Sequence, residues 1–407
     1  MTGPISIGAG PSGSEPHSAN DRHVPVLGNR LALVDKLRGL MIVLMILDHV
    51  REYLHEQALL FQPTDVGRTT ALLFATRWVT HLCAPTFVLL AGVAVGLQKA
   101  NGRTSLRRYL VTRGLWLILL ELSVIAFALD FAAPFLFLQV IWAIGFGMLL
   151  LAVLIHLPHR WVLAIGAVIV AGYPLLAPFA PEPGTGGAIA WTLLFQPGPL
   201  PWLNGFVAYP ALPWFGIMAL GFGMAPVFLA PAMERARTLV CIGLGMLALF
   251  LLLRGSNGYG DFQPWAVQAE AWRTALSFLN VSKYPPSLDF VLATLGCSLL
   301  FAPFVARLTG RLGRMLDAFG RASLFTYIVH IYATHGLALV IGLALGFPPQ
   351  LFLGFLSDPQ PLVDAGWGLG LFWIYLCWLA VCVTLYPLAA WFAVLKSRRR
   401  EWWLRYL

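Results

Sequence analysis

Apolar runs of about 20 residues recur along the whole of this sequence, and a run of that length can cross a bilayer as an α-helix. Because 59% of the residues are hydrophobic and only 11% are charged, the chain lacks the polar side chains that would cover a soluble protein of 407 residues. The alternating pattern of a membrane β-barrel is not visible. The sequence therefore predicts an all-α fold, a polytopic transmembrane helical bundle.

These runs predict about ten membrane spans. They lie near residues 33–54, 72–98, 108–129, 134–155, 160–178, 209–230, 236–253, 286–307, 321–346 and 367–395. Residues 1–30 are rich in Gly, Ser and Pro and lack an apolar core, which indicates a disordered tail without a cleavable signal peptide. The predicted organisation is a cytoplasmic tail (1–30), a membrane domain (31–395) and a basic cytoplasmic tail (396–407).

The distribution of positive charge predicts the orientation of the chain. On the ten-span arrangement, most of the 27 Lys and Arg residues fall on the side that holds both termini. Because cytoplasmic loops carry an excess of Lys and Arg, both termini are predicted to be cytoplasmic, in a multi-pass protein of the inner (plasma) membrane. The net charge of +9 is then explained by topology, and nucleic acid is not a predicted partner.

The first predicted span, residues 33–54, carries charged residues at both ends and an apolar centre. Arg38 lies near one end, and His49 follows eleven positions later. At about 100° per residue both side chains face the same way, and at about 1.5 Å per residue they lie roughly 16 Å apart along the helix. The sequence therefore predicts a cation and an imidazole at two depths of one continuous cavity, open to the cytoplasm.

Ionisable side chains inside a membrane span are costly, so they mark functional sites by default. The candidates here are His49, His81 and His330, and Tyr327 lies three residues before His330 on the same helix face. Glu52 lies one turn after His49 and is the carboxylate best placed to orient it. The predicted depths of these imidazoles bring them around one cavity.

A membrane histidine can also be a core residue that bonds a neighbouring backbone carbonyl. We favour this interpretation for His335 and His55, and we leave it open beside the functional one for His81 and His330. For His49 we favour a functional role, because its side chain is aligned with that of Arg38 on the same helix face.

A metal site is not predicted. The histidines show no HExxH or Cys/His spacing, and carboxylates near them are sparse. The five cysteines fall in or beside apolar runs and do not resemble a disulfide framework. The sequence also lacks a GxSxG elbow, a P-loop and a dinucleotide fingerprint.

The stretch RLALVDKLRGLMIVLMILDH, residues 30–49, resembles the first-helix signature of a superfamily of transmembrane acyltransferases. Its D-x-x-R-G start at Asp35 is similar to that of the heparan-α-glucosaminide N-acetyltransferase family and its bacterial relatives. The spacing of ten residues between Arg38 and His49 is similar to the pattern of the related acyltransferase-3 proteins.

Three further stretches extend the resemblance. PTFVLLAG, residues 85–92, resembles the second-helix motif of these proteins, and the basic segment from Arg108 to Arg113 resembles the start of their third helix. SLFTYIVHIYATH, residues 323–335, resembles a late element of the family. The Trp-centred segment that carries the active histidine of the lysosomal enzyme has no clear match here.

The resemblance implies an integral membrane acyltransferase, of the O- or N-type, that moves an acetyl (acyl) group from cytoplasmic acetyl-CoA to an outward-facing acceptor such as a sugar. Acetyl-CoA would be a co-substrate, and its phosphates would meet cationic side chains. The catalytic candidates are His49, His81 and Glu52, and the substrate-binding candidates are Arg38, Arg108, Arg113, His330 and Tyr327. Further basic candidates for the phosphates are Arg103, Arg107, Arg311 and Arg314.

Other functions remain as alternatives at this stage. A multi-pass transporter or permease would use the same histidines as a proton or substrate path, and a non-catalytic scaffold would keep the fold alone. Within the acyltransferase hypothesis, His49 acts either as a general base or as a nucleophile that carries the acetyl group. The predicted partners are membrane lipid, a small-molecule or glycan acceptor and, as one option, a second copy in a homodimer.

Overall fold

The computed structural model describes residues 24–132, 135–182, 185–200, 203–399, 401 and 403–406, with side chains from residue 32 onward. This part of the chain is mostly helical, which confirms the predicted all-α class. Of the predicted 1–30 tail, residues 1–23 lie outside the described residues, and the first helix begins at Val24.

The helices follow one another with short connections, except on one side of the bundle where the loops are longer. They are α1 (Val24–Leu54), α2 (Ala71–Thr80), α3 (Cys83–Ala100), α4 (Leu106–Leu120), α5 (Ala126–Asp130), α6 (Val140–Leu154), α7 (His159–Gly172), α8 (Gly186–Leu194), α9 (Ala211–Gly223), α10 (Ala225–Leu229), α11 (Ala232–Ser256), α12 (Ala271–Leu279), α13 (Leu288–Ala306), α14 (Gly310–Arg321), α15 (Ser323–Ala344), α16 (Gln360–Asp364) and α17 (Leu371–Arg398). A π-helical segment, Glu121–Ile125, joins α4 to α5, and 3₁₀ turns occupy Tyr173–Phe179, Pro349–Phe352 and Trp403–Arg405.

Three short strands form a small sheet beside the bundle. They are β1 (Leu136–Leu138), β2 (Gly198–Leu200) and β3 (Gly205–Val207), in the order β1-β3-β2. β3 pairs in parallel with β1 and antiparallel with β2. The sheet thereby joins the start of α6 to the loop that precedes α9.

Eight helical segments in the described residues are long and apolar enough to cross a membrane. Each coincides with one of the ten predicted spans. The remaining two predictions fall on α1, which carries several charges, and on α6, whose 15 residues extend only about 22 Å at about 1.5 Å per residue. A bilayer core of about 30 Å is longer than that.

Helix α1 lies at the centre of the bundle and contacts α2, α3, α13, α14, α15 and α17. Its crossing with α14 is close because glycine lies at the contact on both helices. A Cβ atom on Gly39 would overlap the Leu316 carbonyl, and a Cβ atom on Gly320 would overlap the Asp35 carbonyl. Small residues allow such approach of backbones in membrane proteins, where van der Waals packing drives helix association.

The α1–α14 contact gives a first testable expectation. We expect Gly320→Ala to lower the free energy of unfolding by about 1–3 kcal/mol, the usual cost of forcing extra atoms into a packed contact. Gly245→Ala on α11 is the matched control, because a Cβ atom there meets nothing within 4 Å. Thermal unfolding in detergent compares the two variants, and equal midpoints would contradict the close packing.

Candidate active site

Two histidines meet at the end of α1 that is opposite Arg38. His49 Nδ1 lies 2.6 Å from His330 Nε2, and the two rings are stacked with centroids 4.9 Å apart. Both side chains are buried, His330 completely so. The contact joins α1 to α15 across 281 positions of sequence.

The hydrogen-bond partners of this pair determine its tautomers. His330 Nδ1 lies 3.1 Å from the Thr326 carbonyl oxygen, which can only accept, so Nδ1 carries a proton. In a neutral ring the Nε2 atom of His330 is then an acceptor, and His49 Nδ1 must donate to it. The consequence is an unprotonated Nε2 on His49, with its lone pair available for a base or a nucleophile.

A charged network packs around the same end of α1. Arg77 of α2 donates to both carboxylate oxygens of Asp48 at 2.6 Å. Arg51 and Thr80 donate to the same carboxylate at 3.1 and 2.9 Å. All four side chains are buried, and a buried charge is stable only when it is paired and hydrogen-bonded. The network therefore fixes α2 against α1.

Glu52 connects this network to His49. Its Oε1 lies 3.4 Å from Arg51 and 3.5 Å from Arg77, and its Oε2 lies 4.0 Å from His49 Nε2. The Glu52 side chain is 43% exposed, so this end of the cluster is open to one face of the bundle. A carboxylate at that distance is suited to interact with an imidazolium that forms during a reaction.

Of the two other predicted site residues, Tyr327 contacts the histidine pair and His81 packs against α13. His81 lies at the break between α2 and α3, its ring packs edge-on against Phe290, and its buried Nδ1 has no hydrogen-bond partner among the described residues. Tyr327 packs edge-on against His330 with centroids 5.5 Å apart. The Tyr327 hydroxyl is also buried without a partner in the described part of the chain.

His335 and His55 have the contacts that a core interpretation requires. His335 lies 3.0 Å from the Ala128 carbonyl and 2.8 Å from the Phe352 carbonyl. His55 accepts a hydrogen bond from the backbone amide of Gln57, and its burial, with Arg51 nearby, lowers the pKa of its ring to about 4. Neither ring contacts His49 or His330 in the described structure.

A cavity of about 450 Å³ opens at the Arg38 end of α1. Four cationic side chains and one carboxylate lie around its mouth: Arg38, Arg113, Arg321, Lys396 and Asp35. Further in, its walls are mainly apolar and include Ile42, Met45, Phe87, Leu117, Ile144 and Leu324, and Tyr327 also lines it. The cavity is therefore cationic at its mouth and mainly apolar inside. Such a lining suits a ligand with an anionic group at one end and an extended chain at the other.

The basic residues at this mouth differ from those predicted. Arg38 and Arg113 line the cavity as expected, and Arg113 also donates to the backbone carbonyl of Tyr406. Arg108, another predicted candidate, is exposed on α4 and is not among the residues that line the cavity. The other predicted phosphate candidates, Arg103, Arg107, Arg311 and Arg314, are likewise exposed and outside the lining.

The predicted continuous cavity from Arg38 to His49 is also corrected by the structure. The cavity reaches Met45, one turn before His49, but His49 itself is not among the lining residues. Tyr327, which also lines the cavity, packs edge-on against His330, and His330 is stacked on His49. Arg38 and His49 do lie along one face of α1, but only Arg38 lines this cavity.

Several site residues were missed by sequence reasoning. Arg321 and Lys396 were not among the predicted candidates, although both line the cavity. Arg77 falls within the predicted span 72–98 but was not a predicted candidate, and it is buried in α2. An arginine within an apolar run was the available signal for Arg77, since such residues rarely lack a partner.

A known protein family matches much of the chain. The model of the family described as heparan-alpha-glucosaminide N-acetyltransferase, catalytic, matches residues 30–255, more than half of the chain. The match includes Arg38, His49 and Arg77, whereas His330 lies beyond it. No curated protein sequence matches the chain. The chain is thus a multi-pass membrane protein of the heparan-α-glucosaminide N-acetyltransferase family, and its catalytic region is that of an acetyltransferase.

Proposed function

We propose that the protein transfers an acetyl group from cytoplasmic acetyl-CoA to an acceptor on the opposite side of the membrane, a glycan or another molecule with a free hydroxyl or amine. The cationic cavity mouth binds the CoA phosphates and faces the cytoplasm. His49 deprotonates the acceptor or takes up the acetyl group itself. The observation that carries the proposal is the His49–His330 contact, which leaves His49 Nε2 unprotonated.

The charges at the cavity mouth support CoA as the donor. Asp35 is the one carboxylate in the lining of this cavity among the described residues, and it lies 4.0 Å from Arg38 and 3.9 Å from Arg321. Arg113 and Lys396 add two further positive charges. An excess of cations over carboxylates at one mouth is suited to a polyanion.

The dimensions of the cavity support the delivery of a thioester. Arg38 and His49 are roughly 16 Å apart at about 1.5 Å per residue, which is comparable to an extended pantetheine arm. The arm would lie along the apolar wall between Ile42 and Met45. Movement of the Met45 and Tyr327 side chains then completes the passage to His49, a change that a ligand binding the open form would favour.

Acetyl transfer can be measured directly. Purified protein in nanodiscs is incubated with radiolabelled acetyl-CoA and a panel of amino sugars, neutral sugars and glycan fragments. Release of CoA and transfer of label to an acceptor are expected for the wild type. A transporter would instead move a solute without consuming the thioester, and a scaffold would neither bind acetyl-CoA nor transfer label; either result contradicts the proposal.

The cavity mouth gives a second expectation. Arg38→Gln and Lys396→Gln each remove a charge that the CoA phosphates would meet, so each should raise the KM for acetyl-CoA by about 10- to 100-fold, the equivalent of about 1.5–3 kcal/mol for a charged hydrogen bond. Arg108→Gln is the matched control, because Arg108 is exposed and outside the cavity. An equal effect of Arg108→Gln would indicate long-range attraction and would contradict a specific site.

A further inference from the structure

Tyr327 borders both the cavity of about 450 Å³ and the histidine pair. On α15 the residues that line this cavity begin at Ser323 and end at Tyr327, one turn before His330. On α1 the lining ends at Met45, one turn before His49. The Tyr327 ring packs edge-on against the His330 ring, with centroids 5.5 Å apart. One aromatic side chain therefore contacts both the proposed donor cavity and the pair that holds the proposed base.

Tyr327 is also a polar residue at an otherwise apolar end of the cavity. On the other helices that run past this end, the last lining residues away from the mouth are Met45 of α1, Phe87 of α3, Leu117 of α4 and Val140 of α6. None of these four side chains can donate a hydrogen bond. Among the described lining residues, Tyr327 thus carries the side-chain donor at the histidine end of the cavity.

The hydroxyl of Tyr327 is buried and has no hydrogen-bond partner among the described residues. The residue as a whole is only 4% exposed. A buried hydroxyl without a partner has lost its hydration without compensation, and most buried polar groups in proteins avoid that loss by pairing. Because no described group of the protein satisfies this donor, it is available to an oxygen atom of a bound substrate.

Two nearby tyrosines have hydroxyls that are paired. Tyr53 of α1 is 3% exposed, and its hydroxyl donates to the Leu129 carbonyl at 2.8 Å. Tyr332, five residues after Tyr327 on α15, donates to the Val124 carbonyl at 2.8 Å. Burial in this part of the bundle therefore does not by itself leave a tyrosine hydroxyl unpaired.

We propose that Tyr327 is a catalytic residue whose hydroxyl donates a hydrogen bond to the acyl carbonyl oxygen of the donor thioester. This inference rests on the acetyl-transfer function proposed above. A donor in a site without water stabilises the negative charge that develops on this oxygen in the transition state. Movement of the Tyr327 side chain towards the thioester breaks no hydrogen bond of its hydroxyl with a described residue.

Atoms and electrons balance in direct transfer. The acceptor O–H or N–H gives its proton to His49 Nε2, and the acceptor atom forms a bond to the acyl carbon. The π electrons of the C=O bond move to the oxygen, which receives the hydrogen bond from Tyr327. When the C=O bond re-forms, the C–S bond breaks and the CoA sulfur leaves with the proton held by His49.

Tyr327→Phe tests the proposal, because it removes the hydroxyl and keeps the ring that packs against His330. Its kcat should fall by about 10²- to 10³-fold, the usual cost of losing one oxyanion donor. The KM for acetyl-CoA should change little. The thermal midpoint in detergent should be unchanged or higher, because the hydroxyl that is removed has no described partner. Unchanged kcat in Tyr327→Phe would overturn the proposal.

Tyr332→Phe is the matched control on the same helix. Tyr332 is not among the residues that line the cavity, and its hydroxyl is paired with a backbone carbonyl. This variant should therefore keep wild-type kcat, and its thermal midpoint should be equal to or lower than that of the wild type. An equal loss of kcat in both variants would show a general effect of removing a hydroxyl from α15 and would contradict a specific role of Tyr327.

Infrared spectroscopy detects the proposed hydrogen bond directly. Acetyl-CoA labelled with ¹³C at the carbonyl is bound to His49→Ala protein, which lacks the proposed base, and to the same protein with Tyr327→Phe added. The carbonyl stretch should lie at a lower frequency in the first protein, because a hydrogen bond to the oxygen weakens the C=O bond. Equal frequencies in two folded proteins that both bind the labelled thioester would overturn the proposal.

The kinetic constants separate failure of this inference from failure of the proposed function. A higher KM for acetyl-CoA with unchanged kcat in Tyr327→Phe would show that the hydroxyl only binds the thioester in the ground state, which overturns its catalytic role. If wild-type protein transfers no label from acetyl-CoA, the proposed function itself fails. Activity in the wild type with equal activity in Tyr327→Phe refutes the tyrosine alone.

Discussion

Replacement of His49 by alanine is expected to reduce kcat for acetyl transfer by about 10²- to 10⁴-fold, the contribution of a positioned general base. The KM for acetyl-CoA should change little, because the imidazole is not among the residues that line the cavity. Label transfer from acetyl-CoA, measured on detergent-purified protein, gives both constants. Retained kcat in a folded His49→Ala protein would refute the site.

Variants of His330 make this expectation sharper. His330→Gln keeps a side-chain oxygen that can accept the proton of His49 Nδ1, whereas His330→Leu keeps bulk but removes the acceptor. If His330 acts by holding the tautomer of His49, the leucine variant should lose at least about tenfold more kcat than the glutamine variant. Equal losses would indicate that His330 contributes only packing.

A further measurement distinguishes the two mechanisms left open for His49. Protein is mixed with acetyl-CoA without acceptor, quenched and analysed by mass spectrometry. A nucleophilic His49 accumulates an acetyl group on the peptide that contains it, and a general base does not. Since Nε2 is the atom with the free lone pair in either case, the structure permits both chemistries.

Loss of Arg77 is expected to have the largest effect on stability. Arg77→Met leaves the buried Asp48 carboxylate with Arg51 and Thr80 as its remaining side-chain donors. Breaking a buried ion pair by removing one partner costs about 3–5 kcal/mol, so the thermal midpoint in detergent should fall substantially. Methionine has nearly the volume of the arginine stem, so little of the stability loss should come from an empty space left in the packing.

Two controls accompany this measurement. Arg68→Met changes an exposed arginine in the loop before α2 and should cost less than about 1 kcal/mol. The double variant Asp48→Asn with Arg77→Met should be more stable than Arg77→Met alone, because it removes the carboxylate that has lost its bidentate partner, while Arg51 keeps Glu52 at 3.4 Å. If the double variant is no more stable than Arg77→Met, the Asp48 carboxylate is not the source of the stability loss.

The helical membrane class could be inferred from the sequence because bilayer thickness and backbone hydrogen bonding leave few options for apolar runs of that length. The alignment of Arg38 with His49 could also be inferred, since helix geometry fixes which residues share a face. Family membership rested on the same segment, and the family match begins at residue 30. Each of these inferences depends only on residues that lie within a few helical turns of one another in the sequence.

The partners of those residues could not be inferred in the same way. His330 reaches His49 from 281 positions away, and Lys396 reaches the cavity from the last span. Arg108 and Arg113 stand one and a half turns apart on α4, yet only Arg113 faces the cavity. Which face of a helix turns inward depends on its packing against other helices, and apolar runs look alike on every face.

The sequence by itself determined a bundle of membrane helices whose first helix carries a cation at one end and an imidazole at the other. The tertiary structure alone decided that this imidazole is stacked on a second one. It also decided that the residues lining the cavity include Met45, one turn before the imidazole, but not the imidazole itself. Helix periodicity is set by hydrogen bonds four residues apart. Contacts between distant helices are set by the shape and charge of surfaces that form only when the whole chain packs.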